Sequence, residues 1–202
     1  MPVQSFVRRG FVIAVGMAVF IAATSAGILD YTTRDSGRNE IVFFGHSTAH
    51  NFEGRTSTVL GKFGADKEKL TETAYADVII PVKSLKTGIS ARDKNMYKTF
   101  EARKYPNIRF HLEELRDVKW ETADTFTALA VGTLTIHGVV RKTGLRIRAG
   151  LTDDYAVVDG RADLRITDFG MERPGFLFLR VGDNVEVKFH AQGRLTREST
   201  AS

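Results

Sequence analysis

The 202 residues carry 29 Lys/Arg against 24 Asp/Glu, a formal charge of +5, and no cysteine. Without cysteine there are no disulfides, no thiolate catalysis, no iron–sulfur cluster, no Cys-based zinc site and no lipidated N-terminal cysteine. Charges of both signs are interspersed and the aromatics do not interleave with a basic stripe, so nucleic acid is not an expected partner.

Residues 1–26 have the layout of a secretory signal peptide. Arg8 and Arg9 precede an uncharged apolar core from Gly10 to Ala23, and Thr24-Ser25-Ala26 supplies a small-residue site, with cleavage after Ala26. Arg8-Arg9-Gly10-Phe11 also echoes a twin-arginine signal, which Val7 and Val12 fit poorly. The competing reading is an uncleaved anchor, because Gly10 to Leu29 is uncharged for 20 residues. On both readings the remainder is exported, to the periplasm or beyond. Removing two arginines leaves 176 residues with a charge of +3, enough for one domain.

Residues 27–39 read as a polar lead-in. Ile41, Val42, Phe43 and Phe44 form a continuous apolar run, as in a strand covered on both faces. Gly54 and Gly61 interrupt a β-like pattern over residues 50–63 and point to bulges or bends. Val78, Ile80 and Val82 share one face of the next strand. A connector with Gly88 follows, and Ser90 is the expected N-cap of a helix over about 90–102. Pro106 forces that helix to end near Tyr105. Beyond it Ile108, Phe110 and Leu112 alternate with Arg109, His111 and Glu113.

The second half reads as a meander. Phe126, Ala128 and Ala130 alternate, then Leu134 and Ile136, then Leu145, Ile147, Ala149 and Leu151. Ala162, Leu164 and Ile166 follow, then Val185, Val187, Phe189 and Ala191. Turn signals separate these runs at Gly138, Gly144, Asp153-Asp154, Gly170, Pro174-Gly175 and Gly182-Asp183-Asn184. One wet and one dry face on each strand suits a sandwich or a barrel. Long successive strands with glycines at bends favour closure into a barrel. Residues 40–195 form the expected domain and 196–202 a tail.

Chemical motifs are few. His46, His50, His111, His137 and His190 include no pair at helical metal-ligand spacing, and no metal is assigned. No Gly-x-Ser-x-Gly elbow occurs, Ser84 and Ser90 read as turn and cap residues, and no catalytic residue is assigned. Asp168-Phe169-Gly170 lacks the other parts of a kinase. Arg92 and Asp93 begin the helix, either as a charged latch at a barrel mouth or as an ion pair that docks the helix. The phenylalanines Phe43, Phe52, Phe63, Phe110, Phe169 and Phe189 either line a tunnel or fill a core.

Arg92-Asp93, Tyr105-Pro106-x-Ile108-x-Phe110, Leu134-Thr135-Ile136-x-Gly138-Val139, Asp168-Phe169-Gly170-Met171 and Val181-Gly182-Asp183-x-Val185 occur in this order. With His50-x-Phe52-x-Gly54 ahead of them, they resemble the YceI-like, polyisoprenoid-binding family over about residues 40–195. The resemblance implies an all-β fold, an extended antiparallel lipocalin-like β-barrel with one inserted helix at about 90–102. It also implies an exported bacterial carrier without catalysis, its only cofactor-like group a bound long-chain isoprenoid, quinone-like or other apolar lipid. The expected lining is Phe43, Phe52, Val78, Ile80, Ile108, Phe110, Ile136, Ile147, Ile166, Phe169, Val187 and Phe189. Arg92 and Asn95 are the head-group candidates, and many family members have His where this chain has Asn95. Two rivals stand beside the carrier, an enzyme using the same pocket and an interaction module with a solid barrel. Transient membrane contact and a dimer are left open.

Overall fold

Alternating apolar residues commit strand after strand to one wet and one dry face, and the sheet they form closes on itself. The computed structural model describes residues 27–33, 38–47, 51–173, 175–176 and 179–199. The leader expected over 1–26, together with His50, lies outside them. In chain order the elements begin with β1 (Ile28–Thr32), β2 (Glu40–Ser47), β3 (Asn51–Thr56), β4 (Leu60–Ala65), α1 (Leu70–Thr73) and β5 (Tyr75–Pro81). Next come α2 (Ser90–Thr99), β6 (Asn107–Trp120), β7 (Thr125–Ile136), β8 (Val139–Leu151) and β9 (Tyr155–Arg165). The last are β10 (Gly175–Phe176) and β11 (Leu179–Ser199).

All pairings are antiparallel. The path β1-β4-β5-β6-β7-β8-β9-β11 is closed by pairing of β11 back onto β1, from Ile28 opposite Ser199 to Thr32 opposite Arg194. This is the expected antiparallel lipocalin-like barrel; its ring has eight strands, with additional strands outside it. β11 spans 21 residues, so its first half has room for another partner. There it pairs with β2, from Val181 opposite Ser47 to His190 opposite Glu40. β3 continues that wall and meets the connector after β5 through a two-way bridge, Arg55 N–H to Lys86 O at 2.7 Å and Lys86 N–H to Arg55 O at 2.9 Å.

Two expectations at the chain ends are corrected. Residues 27–39 are not merely a lead-in, because β1 lies between β4 and β11 and its Tyr31 is fully buried. Tyr31 stacks on Phe63 and donates its OH to Thr152 O at 2.6 Å. Residues 196–202 are not simply a tail either, since β11 continues to Ser199.

Local details differ for physical reasons. Gly54 is not a bulge: it sits opposite Phe43, and the Phe43 ring lies where a Cβ would otherwise project. The register breaks lie instead in β6, between Leu112 and Glu114 and between Arg116 and Lys119, in β11 between Val181 and Val185, and in the β1–β11 pairing between Asp30 and Tyr31. Ser90 is the first helical residue rather than the cap, which is Ile89 and has no side-chain hydrogen bond. The β7–β8 hairpin turns through His137 (φ 52°) and Gly138 (φ 75°), the left-handed pair a two-residue turn requires. The Tyr105 ring packs on Gly138, so the chain leaving α2 is seated on that hairpin.

The core is divided along the barrel axis. One end is packed with Tyr31, Phe63, Leu70, Leu115, Phe126 and Leu151. Toward the other end a smaller cluster of Leu134, Ile136, Phe169 and Met171 packs with Phe100 and Ile108. No helix among the described residues is long and apolar enough to cross a membrane.

Candidate functional site

Inside the barrel is a cavity of about 880 Å³ with an overwhelmingly apolar wall. At roughly 30 Å³ of liquid volume per water-sized unit, this is room for on the order of 30 non-hydrogen atoms. All fourteen residues singled out from the sequence lie on its wall. Phe43 comes from β2, Phe52 from β3, Val78 and Ile80 from β5, and Ile108 and Phe110 from β6. Ile136 comes from β7, Ile147 from β8, and Val187 and Phe189 from β11. Ile166 and Phe169 lie in a single 3-10 turn after β9, which ends at Gly170 (φ 67°). Arg92 and Asn95 come from α2. The strand positions among them meet because the strand period of two sends every second residue inward along the wall.

Sequence reasoning missed other parts of the wall. Met96 and Thr99 of α2 join Arg92 and Asn95 there, because positions three and four apart share one helix face. Phe100 and Leu85 come from the segments flanking the helix and complete that end. Tyr75 reaches the cavity while donating its OH to Asp30 Oδ1 at 2.6 Å; burial first, and then that carboxylate, push its phenol well above the ordinary range.

The polar lining is one-sided. Apart from Tyr75, it consists of Ser47, Thr87, Arg92, Asn95, Lys98, Thr99 and Arg165, all at the end where α2 lies. That end is the mouth. The Arg92 guanidinium lies over the Phe52 ring, 5.3 Å from its centroid, so it borders both the polar rim and the apolar wall. Arg165 is bound to the Asp168 carboxylate at 2.7 Å. Among the described lining residues there is no Asp, Glu or His.

Three polar locks hold the mouth together. Asp93 Oδ1 accepts from Thr87 N–H at 2.8 Å and Thr87 Oγ1 at 2.7 Å, tying the connector to the first turn of α2. His137 bridges the Phe169 carbonyl at 3.3 Å and the Glu101 carboxylate at 3.1 Å, tying the exit of α2 to the β7–β8 turn. Asp183 accepts from Thr167 N–H at 3.0 Å and Thr167 Oγ1 at 2.8 Å, fixing the start of β11 against the 3-10 turn. The Asp93 lock settles a residue left between latch and ion pair, and Asp183, expected in a turn, lies within β11 at its register break. Ser84 is the turn residue it was expected to be, donating to Pro81 O at 2.7 Å.

Asp93 carries a pH signature. Burial opposes its ionisation, but the two hydrogen bonds from Thr87 outweigh burial and hold the carboxyl below the ordinary value of 3.8. Its stabilisation is therefore present above the unfolded value and lost as pH falls through the folded one. Asp93→Asn is expected to cost about 1.5–3 kcal/mol at neutral pH. Urea titrations should show that difference shrinking below the ordinary carboxylate value, where the wild type is itself protonated.

A closed eight-stranded antiparallel barrel with a large apolar interior and a polar rim at one end belongs to the lipocalin-like class, whose members enclose one small ligand. The model of the YceI-like domain matches residues 33–193, and the chain belongs to the YceI-like family. Three solved structures share the fold. BcnA of Burkholderia cenocepacia aligns at 18% identity and TM-score 0.63, covering 76% of this chain and 95% of its own. A polyisoprenoid-binding domain from Saccharophagus degradans, implicated in plant cell wall breakdown, aligns at 15% identity and TM-score 0.62, covering 83% of this chain and 98% of its own. The YceI protein of Campylobacter jejuni aligns at 18% identity and TM-score 0.56, covering 71% of this chain and 85% of its own. No curated protein matches the chain.

Proposed function

We propose that the protein is an exported carrier that shields the tail of a long-chain isoprenoid, or of a similar lipid such as a quinone, and performs no chemistry on it. The supporting observation is the cavity of about 880 Å³, apolar except for its rim. Burial is worth about 0.8 kcal/mol per CH₂, so a tail of this size binds without directional contacts. An enzyme acting in the same space would have to work with Lys98, Arg92, Tyr75 and a few hydroxyls, because the described lining has no Asp, Glu or His. The polyisoprenoid-binding neighbour and the family membership support the same ligand class.

The test is mass spectrometry of lipid extracted from protein purified from its native compartment. A prenyl-chain lipid in near-stoichiometric amount is expected. Protein that arrives empty and takes up no added prenyl lipid would overturn the reading. Export is checked separately: the purified protein is expected to begin near Gly27, and intact chain retained in salt-washed membranes would support the anchor instead.

Head-group choice falls to the rim, where an unpaired buried polar atom costs about 1–3 kcal/mol. Asn95 lines the cavity from the exposed side of the mouth. Asn95→His is expected to change the relative affinity of ligands that share a tail but differ in head, by up to about tenfold. Competition binding with a prenyl alcohol, phosphate and quinone of one length checks it. Equal shifts for all three would remove Asn95 from head-group recognition.

A further inference from the structure

The charges that look interspersed along the sequence are not interspersed in space. Residues 83–104, which run from the end of β5 through α2 to Tyr105, hold seven Lys/Arg and two Asp/Glu. The rest of the chain after residue 26 holds 20 against 22, so this one segment carries more than the entire positive excess. Both of its acids are engaged: Asp93 is buried on Thr87, and Glu101 faces His137 and Lys104. Lys83, Lys94, Lys98 and Arg103 are exposed and form no ion pair among the described residues. Across the mouth both signs are present, with Arg165 between the carboxylates of Asp168 and Asp183 and Arg141 donating to the Asp168 carbonyl.

Two exposed apolar side chains lie at the same end of the barrel as these cations. Ile89, at the N-terminus of α2, is 50% exposed, and Val140, just beyond the β7–β8 turn, is 57% exposed. They are two of only five large hydrophobic residues that are exposed among those described, and both lie at the mouth. A cationic surface carrying exposed apolar side chains is the composition of a bilayer-surface binder: the cations meet anionic headgroups and the apolar groups enter the headgroup boundary. An acidic polypeptide would satisfy the cations but leave the apolar pair unused.

We propose that residues 83–104, with Val140, form a docking surface for an anionic lipid bilayer. Docking there sets the cavity mouth against the membrane, where a lipid tail enters or leaves without crossing water. The inference goes beyond the carrier reading, and its consequence for transfer rests on that reading.

The test is co-sedimentation of the purified protein with vesicles of phosphatidylglycerol and phosphatidylcholine, against vesicles of phosphatidylcholine alone, at low and at high salt. Binding is expected only to the anionic vesicles and is expected to fall steeply with salt. The variant K83Q/K94Q/R103Q removes three cations that do not line the cavity and should weaken binding on the order of 100-fold. Its charge-keeping counterpart, K83R/K94R/R103K, should bind as the wild type does, and so should K69Q/K119Q at the far end of the barrel. Equal binding to both kinds of vesicle, or an unaffected triple variant, would overturn the proposal. Soluble polyglutamate displacing the protein from vesicles at equal charge would overturn it too, by assigning the surface to an acidic polypeptide. Lipid content is measured on the same preparations. An empty cavity with docking intact counts against the carrier alone, and a loaded cavity without docking counts against this surface alone.

Discussion

Replacing Tyr31 with Ala is expected to destabilise the protein by about 3–5 kcal/mol, as for other large aromatic side chains removed from a core. Tyr31 is fully buried, stacks on Phe63 at 5.8 Å and closes the packed end of the barrel with its bond to Thr152 O. Tyr31→Phe should cost about 1–3 kcal/mol, because the carbonyl at Thr152 loses its partner. Urea midpoints at unchanged slope would check both. The phenol adds a pH test. Burial first, and then the charges of Asp153 and Asp124, push it up to about 12 from 10.0. A raised value means that its stabilisation is complete below 10.0 and is lost as pH climbs toward about 12. The wild type should weaken across that interval more steeply than Tyr31→Phe. Loss of only a few tenths of a kcal/mol in Tyr31→Ala would mean that β1 does not belong to the barrel in solution.

Filling the cavity should change what binds rather than whether the protein folds. Ile147 and Val187 face the cavity from β8 and β11, each only half-buried despite pointing inward. Ile147→Phe combined with Val187→Phe adds seven carbons to the wall, or about 200 Å³ at roughly 30 Å³ per heavy atom. The longest prenyl chain that binds should shorten by about one isoprene unit, with a stability cost under the ~1–3 kcal/mol of overpacking a solid core. Melting temperature and chain-length preference, measured on the same double variant, separate the two outcomes. Strong destabilisation with unchanged lipid preference would mean that these positions are ordinary core.

The alternation that named the cavity wall is a property of each strand alone, so it was legible from Val78 to Phe189 without any knowledge of partners. Whether the enclosed volume is filled was not legible, because an apolar residue lining a void and one packed against a neighbour have the same sequence pattern. β1 was missed because Ile28, Leu29 and Tyr31 directly follow an apolar leader, and five residues are too few to establish a period. α1 has only four residues, less than the span over which a helical period can be read. The polar face of α2 was read as two charged residues, Arg92 and Asp93. The structure separates them, placing Arg92 over the Phe52 ring at the cavity and Asp93 beneath the helix on Thr87. The basic excess over residues 83–104 was in plain view, yet it became a surface only once the fold placed that segment over a single opening.

The long β11 has a consequence for how the barrel comes into being. It is the last of the described strands to be synthesised, yet it supplies the pairing partner of β9, β2 and β1. Until it is in place, the β4–β9 meander has an open edge at β9, the β2–β3 hairpin has no sheet to join, and β1 lacks the contact that closes the ring. Closure joins Ile28 to Ser199, residues at opposite ends of the described chain. Such distant pairing makes assembly slow and leaves strand edges exposed while it is awaited. A nascent chain of this design stays unclosed, and therefore threadable, until nearly its whole length has been made.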